Sequence, residues 1–382
     1  MNCSDRCINC ILPKSAEFVK FDENGCCSIC NHSTENDLSS DEKKVLENKL
    51  KAKIEQFKKE GREKSYDCLV GVSGGRDSAY LLYLLVTKHK LRCLGAYYKT
   101  PFTPKTVDDN VKMLVKKLNV PLIEIKIPLE KHRKFAKEMI KLWLKKPKPI
   151  IANLACAPCK ELNHEILKIA HKYGIKHIIY GGNKFEVFQG GAAQFRNDSA
   201  KLKNTPNSLW RQTKKMFLIA QRGAKLLFET PQLIKYFVVS FKSSILYITP
   251  DTPYLRLRYP NIDTMQYYHY TQYDENAVIG FLNDIGWKIP QNCNSTWRAD
   301  CSFNELKNFM FKKTSNMTYI DSYLSNMVRS GLISREEALK RAEKEGAISF
   351  DRLKEVCNIL DIPIKEFFPK VPDKHKNHQR LL

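Results

Sequence analysis

The run Val70-Gly71-Val72-Ser73-Gly74-Gly75-Arg76-Asp77-Ser78 constrains the fold of this chain more than any other feature. A short apolar stretch passes through two adjacent glycines straight into a helical pattern. The same apolar-then-helical alternation repeats from Asp67 to about Asn183, with strands expected at 67–72, 91–98, 121–127 and 177–180. Helices are expected between and around them, at 77–89, 107–118, 130–144 and 160–173. Strands separated by helices do not pair as hairpins; they predict a parallel, doubly wound α/β sheet. Ligands of such sheets sit at the carboxyl ends of the strands. Two Gly-rich turns, after Val72 and after Tyr180, fall at such ends.

The first turn has the chemistry of an anion cradle. Paired glycines let the backbone approach a phosphate closely, and the helix that follows offers free N–H groups and a positive dipole end. Ser73 and Ser78 supply hydroxyls, and Asp77 suits Mg²⁺ bridging phosphates. Asp and Ser at these positions also suit a plain helix start, but the strand before them and the double Gly favour the phosphate reading. The turn lacks the GxxxxGK pattern of a Walker A loop, so chemistry at the γ-phosphate is not expected. SGGRDS is similar to the SGGxDS signature of the PP-loop ATP pyrophosphatases. That resemblance implies cleavage of ATP between the α- and β-phosphates, adenylation of an oxygen and release of pyrophosphate. It also implies nucleotide contacts from Ser73, Gly74, Gly75, Arg76, Asp77 and Ser78. The second turn, Tyr180-Gly181-Gly182-Asn183-Lys184-Phe185-Glu186, is either an ordinary strand-to-loop turn or a second wall of the site. In the latter reading Gly182 and Asn183 lie near the nucleotide, Lys184 neutralises phosphate and Glu186 binds Mg²⁺. Asp77, Lys184 and Glu186 are then the candidate catalytic residues.

Six of the thirteen cysteines fall in CxxC pairs, and the polar N-terminus has no signal-peptide core. In a reducing compartment that pattern favours metal or thiol chemistry, and a cytoplasmic protein is expected. Cys7-Ile8-Asn9-Cys10 and Cys27-Ser28-Ile29-Cys30 form a zinc-ribbon pattern, with four thiolates closing a structural Zn²⁺ site and supplying folding energy that 35 residues cannot find in burial. Cys156-Ala157-Pro158-Cys159 is expected to open a helix, whose N-terminus lowers thiol pKa. Three readings of it stay open: a redox or sulfur-carrying pair, part of a metal or 4Fe-4S site with Cys301 as third ligand, or structural thiols.

The net charge of +23 points to an anionic partner, or to a Lys-rich surface that aids solubility. Residues 199–245 carry nine Lys/Arg against the single acid Glu229, with apolar clusters between them. This segment reads as a basic helical insertion packed on the core, or as a docking surface for a partner or an anionic membrane. The chain divides into a zinc-ribbon-like head (1–35), a linking helix (36–64), an ATP-binding domain (65–198), a basic insertion (199–270), a helical C-terminal region completing the site (271–372) and a tail (373–382).

Further segments resemble the N-acetyl sugar amidotransferases of surface-polysaccharide and lipopolysaccharide synthesis. They are the CINCILP and FDENGCCSIC head, CAPC leading to IIYGGN, Tyr273-Asp274-Glu275, Gly286-Trp287, Ser295 to Cys301, Asn304 to Asn308, Leu324 to Met327 and Ser334 to Leu339. Where this chain has Gly182, that family tends to have Glu. The resemblance implies that ATP adenylates the acetamido oxygen of a nucleotide-linked sugar and that ammonia then gives an acetamidino sugar, AMP and pyrophosphate. With Asn at position 2 and no GxCxG run, the resemblance implies ammonia from a separate glutaminase subunit, with 199–245 as its candidate dock. The competing reading is a PP-loop tRNA sulfurtransferase, with nucleic acid as partner and a cluster or persulfide at the CxxC.

Overall fold

The computed structural model describes residues 5–16, 19–32, 40–126, 128–186, 246, 247 and 249–367, with isolated positions at 221, 228, 231 and 234. The insertion read at 199–245 and the tail read at 373–382 lie outside the described residues apart from those positions.

Five strands form one parallel sheet: β1 (Cys68–Val72), β2 (Cys93–Lys99), β3 (Leu122–Lys126), β4 (His177–Tyr180) and β5 (Asp263–Gln266), in the order β3-β2-β1-β4-β5. The doubly wound α/β class expected from the sequence is the one observed. Successive strand residues face opposite ways, and the two faces feed two cores. Cys68, Val70, Val72, Cys93, Tyr97 and Ile179 join the larger core. Leu69, Leu94, Ala96 and Ile178 join the other. Burial on both faces is why the strands read as apolar runs rather than alternating ones.

Helix α1 (Ser28–His32) belongs to the cysteine-rich head, and α2 (Ser40–Gly61) follows it. Asp41 and Glu42 stand in the first turn of α2 and Lys58 and Lys59 in its last, matching the helix dipole. Its buried stripe is Leu50, Ile54 and Phe57, and Phe57 packs on His177 of β4 with ring centroids 4.2 Å apart. Helix α3 (Arg76–Tyr83) widens into a π turn at Leu84–Lys88, where one straight helix to His89 was expected. Helices α4 (Lys105–Leu118), α5 (Leu129–Lys145), α6 (Pro149–Leu154) and α7 (Leu162–Lys172) complete the first part. The CxxC segment lies in a 3₁₀ turn, Ala157–Glu161, ahead of α7 rather than at the start of that helix.

Inside the segment read as a basic helical insertion at 199–270 lie α8 (Pro253–Arg258) and β5, and β5 pairs with β4, so this end of the segment belongs to the sheet; α9 (Glu275–Ile285), α10 (Phe303–Ser315), α11 (Tyr319–Arg329), α12 (Arg335–Glu345) and α13 (Phe350–Leu360) follow. Their starts are chemically fixed. Asp274 caps α9, a Thr318–Asp321 capping box opens α11, and Ser334 and Ser349 cap α12 and α13. The inner faces of α9 to α11 and α13 close the larger core through Phe281, Phe303, Phe309, Tyr323 and Leu353. Among the described residues no helix is long and apolar enough to cross a membrane.

Candidate active site and metal centre

The chain leaves β1 toward β2 and β3 on one side and returns to β4 and β5 on the other, so the strand order reverses between β1 and β4. The 73–78 loop and the 181–186 turn both stand at that switch point, where doubly wound sheets hold ligands. Gly74 has φ +81°, and a Cβ there would lie 2.4 Å from Val107 Cγ1. Only glycine lets the loop lie flat on α4 in this conformation. A Cβ on Gly181 would lie 3.0 Å from the Asp77 carbonyl oxygen and 3.0 Å from Ser78 Cα, so the second turn packs directly on the first.

The loop's own groups hold its shape. Ser73 Oγ and Ser78 Oγ are 3.2 Å apart, Gly75 N donates to Ser73 Oγ at 3.1 Å, and Ser78 Oγ donates to the Gly75 carbonyl at 3.0 Å. Trp287 Nε1 donates to the Gly74 carbonyl at 3.3 Å. Asp77 is buried. Tyr273 OH donates to its Oδ1 at 2.6 Å, Asn183 Nδ2 donates to its Oδ2 at 2.9 Å, and Tyr268 OH donates to its carbonyl at 3.1 Å. Burial pushes the Asp77 carboxyl up, while Arg76, Tyr273 and Asn183 pull it down.

Arg76 corrects an expectation. It is only 2% exposed, and its guanidinium points into the C-terminal helices rather than to the loop mouth. It meets Glu275 Oε1 at 2.8 Å, Asp77 Oδ1 at 3.3 Å, Thr296 Oγ1 at 2.9 Å and Tyr323 OH at 2.8 Å. Glu275 is shared with Arg341 through bonds of 2.8 and 3.1 Å. Burial raises the Glu275 carboxyl, but the two arginines outweigh it and hold it below its usual range. Arg76 has its hydrogen-bonding capacity turned inward. Its side chain bolts the loop to α9 and α11.

The second turn is a 3₁₀ turn, Lys184–Glu186. Lys184 is exposed, with Nζ 5.2 Å over the Phe185 ring. Gly182 is half-buried beside Gln266. Asn183 is buried and links Asp77 to the turn, because Phe185 N donates to its Oδ1 at 3.0 Å. The Glu186 carboxyl is pushed up to about 7, first by burial and then by the charges of Asp77 and Asp300, against the pull of Arg298.

Two residues not singled out from the sequence complete this constellation. Asp300 interacts with the Ser73 side chain, and its Oδ2 would lie 3.4 Å from a Cβ on Gly75. Burial raises its carboxyl, opposed by Arg298. Arg298 has φ +54°, a conformation steadied by Asn304 Nδ2 donating to its carbonyl at 3.1 Å. Its guanidinium lies 5.2 Å over Trp297 and 5.0 Å over Tyr319. Left-handed backbone at a non-glycine residue concentrates at functional sites. The one sequence signal for both was the Trp297-Arg298-Ala299-Asp300 run, legible only as a resemblance. Three carboxylates (Asp77, Glu186 and Asp300), one inward arginine and one facing arginine thus surround a glycine cradle. Mg²⁺ with a polyphosphate fits this donor set: hard oxygen ligands for the ion, and a turn that a Cβ would fill.

The head holds a second centre. Among the described residues, Cys7, Cys10, Cys27 and Cys30 are the group of three or more His, Cys, Asp or Glu ligands whose ligand atoms all lie within 4.8 Å of one another. Cys10 and Cys27 sulfurs are 3.8 Å apart, and those of Cys7 and Cys30 are 3.9 Å apart. A tetrahedron with metal–sulfur bonds of about 2.3 Å has edges of about 3.8 Å. The spacing therefore suits one ion; sulfurs around a multi-iron cluster stand farther apart. Backbone N–H groups of Cys10 and Cys27 point at Cys7 Sγ, at 3.5 and 3.2 Å, as thiolates require. Hydrogen bonds from the other three cysteines hold the Cys7 thiol far below its usual range. Cys26 stands outside the set, with Asn9 Nδ2 donating to its Sγ at 3.2 Å.

Cys156, Cys159 and Cys301 do not form a comparable set. They are close enough to shift one another's titration, but they are absent from the ligand groups gathered within 4.8 Å. The metal site expected of them is thus not gathered for a single ion; Cys159 Sγ also lies 3.6 Å from His132 Nε2. Cys156 is lowered to about 6, as expected in direction, but by a different cause. The hydrogen bond from Cys159 comes first, and the charges of Lys307, Lys160 and Arg298 add to it.

No family model matches this sequence, and no curated protein matches it. Among solved structures the chain is similar to an NMN synthetase from Francisella tularensis, at 14% identity and TM-score 0.36, over 81% of this chain and 95% of that one. It is also similar to a tRNA thiolase from Methanococcus maripaludis solved with its 4Fe-4S cluster, at 13% identity and TM-score 0.33, over 88% of each chain. An NH3-dependent NAD synthetase from Campylobacter jejuni matches at 14% identity and TM-score 0.27, over 51% of this chain and 90% of that one. All three likenesses are loose.

Proposed function

We propose that the protein is an ATP pyrophosphatase that adenylates an amide oxygen, and that its substrate is a nucleotide-linked N-acetyl sugar. The observation that carries the ATP reading is the Gly74 cradle at the sheet's switch point, faced by Asp77, Glu186 and Asp300. These carboxylates would hold Mg²⁺, which would neutralise charge on the polyphosphate. Ser73, Ser78 and the backbone of the Gly-Gly turn bind and orient the phosphates. Arg298 and Lys184 supply positive charge near the leaving pyrophosphate.

In the reaction, the acetamido oxygen bonds to the α-phosphorus and the α–β bond breaks, releasing pyrophosphate. Ammonia then bonds to the activated carbon. AMP leaves with the C–O electron pair, and a proton is lost to give the acetamidino sugar. The enzyme's contribution is positioning and charge neutralisation. The sugar reading is supported by where the resembling segments fold. Thr296, Trp297 and Asp300 come from the Ser295–Cys301 run, and Tyr273 and Glu275 from the 273–275 run; all of them meet the loop or its supports. Zinc is the metal this reading places in the head, and a separate glutaminase is its source of ammonia.

One observation favours sulfur transfer to a tRNA base instead: the low-pKa Cys156 beside Cys159 and Cys301. The two readings separate by measuring pyrophosphate release with ATP and Mg²⁺, adding either UDP-N-acetyl sugars with ammonium or unmodified tRNA. Release with the sugars is expected. Release with tRNA alone would overturn the amide-sugar reading.

A further inference from the structure

Four thiolates around one divalent ion leave the head with a net negative charge, which needs donors beyond the backbone. One donor is a cation from the other end of the chain. Arg329, the last residue of α11, directs NH1 to Cys30 Sγ at 3.9 Å. Its NH2 donates to Asn326 Oδ1, one turn back on the same helix. A guanidinium only donates, so the Asn326 amide must present oxygen to it and nitrogen away from it. That nitrogen donates to the Phe185 carbonyl at 2.7 Å. Phe185 is the middle residue of the Lys184–Glu186 turn. Its own N–H donates to Asn183 Oδ1 at 3.0 Å, and Asn183 Nδ2 donates to Asp77 Oδ2 at 2.9 Å.

These contacts form one line, Cys30–Arg329–Asn326–Phe185–Asn183–Asp77, which crosses the backbone at Phe185. Both amides are fixed in orientation, since each stands between a group that only donates and one that only accepts. Donation runs the same way at every bond, from the guanidinium to the carboxylate, and the Phe185 backbone joins the two halves of the line through its carbonyl on one peptide group and its N–H on the preceding one, so what passes between the halves is the position of the turn. Asn326 is buried, which makes breaking the line costly. Other head contacts do not enter it: Arg6 pairs with Asp321 at 2.7 Å, and Arg335 Nε donates to the carbonyls of Cys7 and Cys10 at 3.0 Å each.

We propose that the metal-bound head positions the nucleotide site, with Arg329 and Asn326 as positioning residues that set the Lys184–Glu186 turn and Asp77. The inference rests on the ATP reading above. It makes the head more than a folding staple: filling or emptying the thiolate site shifts the second wall of the phosphate cradle. Linkage requires the converse, that nucleotide binding perturbs the metal.

The test uses the full chain loaded with Co²⁺, whose thiolate absorption bands report on its ligands, together with calorimetric titration of ATP and Mg²⁺. In the wild type the cobalt bands are expected to shift when ATP binds. Asn326→Leu is expected to keep one cobalt per chain, weaken ATP binding roughly tenfold and lose the spectral shift. Arg329→Met should do the same, and Arg329→Lys should recover part of both effects. Arg335→Met, which removes a head contact outside the line, should keep the shift. ATP binding by the wild type with unmoved cobalt bands, or a shift that survives in Asn326→Leu, would overturn the inference alone. Failure of the wild type to bind ATP would overturn the proposed function and this inference with it.

Discussion

Replacing Arg76 distinguishes a loop that grips phosphate with its arginine from one that is bolted down by it. In Arg76→Met the four contacts at Glu275, Asp77, Thr296 and Tyr323 vanish from a site 2% exposed. Losing one partner of a buried ion pair costs about 3–5 kcal/mol. Glu275 keeps Arg341, so its desolvation stays partly compensated and the cost falls toward the lower end. Asp77 keeps only neutral donors, Tyr273 and Asn183, and takes up a proton more readily. The expected loss is about 3 kcal/mol, read from urea unfolding at pH 7.5. Arg76→Lys reaches one carboxylate but not the fork of four, and is expected to lose about 2 kcal/mol. The double variant Arg76→Met/Glu275→Gln should lose less than the sum of the singles, because the two side chains are in contact. An Arg76→Met protein within about 1 kcal/mol of wild type that had nonetheless lost ATP binding would refute the reasoning and make Arg76 a phosphate ligand.

Gly74→Ala puts a Cβ 2.4 Å from Val107 Cγ1 at φ +81°, so ATP binding should vanish with a stability loss of about 1–3 kcal/mol. Gly75→Ala, at φ −73° and 3.1 Å from Ser73 Oγ, should cost clearly less in the same unfolding assay. Serine at Cys7, Cys10, Cys27 or Cys30 should abolish stoichiometric metal by mass spectrometry, whereas Cys26→Ser should retain it; metal loss in Cys26→Ser would refute the ligand set. Glu186 titrates near 7 in the folded protein against 4.5 for a free carboxyl, so the native state holds a proton that the unfolded chain has lost between those values. Its contribution to stability without Mg²⁺ is therefore full below pH 4.5 and lost as pH rises toward 7, worth about 1–3 kcal/mol. Urea midpoints between pH 5.5 and 8 should show a slope that Glu186→Gln flattens; an unchanged slope would place the raised carboxyl elsewhere.

What the sequence revealed was local. The β1–loop–α3 unit is legible because an apolar run, two glycines and a helix with an early acid follow each other without interruption. The head's ligand set is legible because CxxC geometry is fixed by four consecutive residues. β5 is not: Asp263-Thr264-Met265-Gln266 has one buried residue, and only its pairing with β4 makes it a strand. The direction of Arg76 is set by Glu275 and Thr296, about 200 residues away in the chain, and no local pattern encodes that. Asp300 and Arg298 reach the site for the same reason, carried there by the packing of α10 and α11 rather than by any spacing near the loop. The lowered Cys156 thiol was expected from a helix end, yet the structure supplies it by a neighbouring thiol and distant cations.

The head's small core has a further consequence, in the time the chain spends being made. Leu12, Ala16, Val19 and the cysteines are sealed by Met317 and flanked by Val328, both from the far end of the described chain. About 290 residues separate Cys30 from Met317. At a synthesis rate of about 5–20 residues per second, the head waits roughly 15–60 s for the residues that cover it. Its thiols stay without that cover for the whole interval. An ion bound by the four thiols during that interval would shield them from oxidation until the cover arrives.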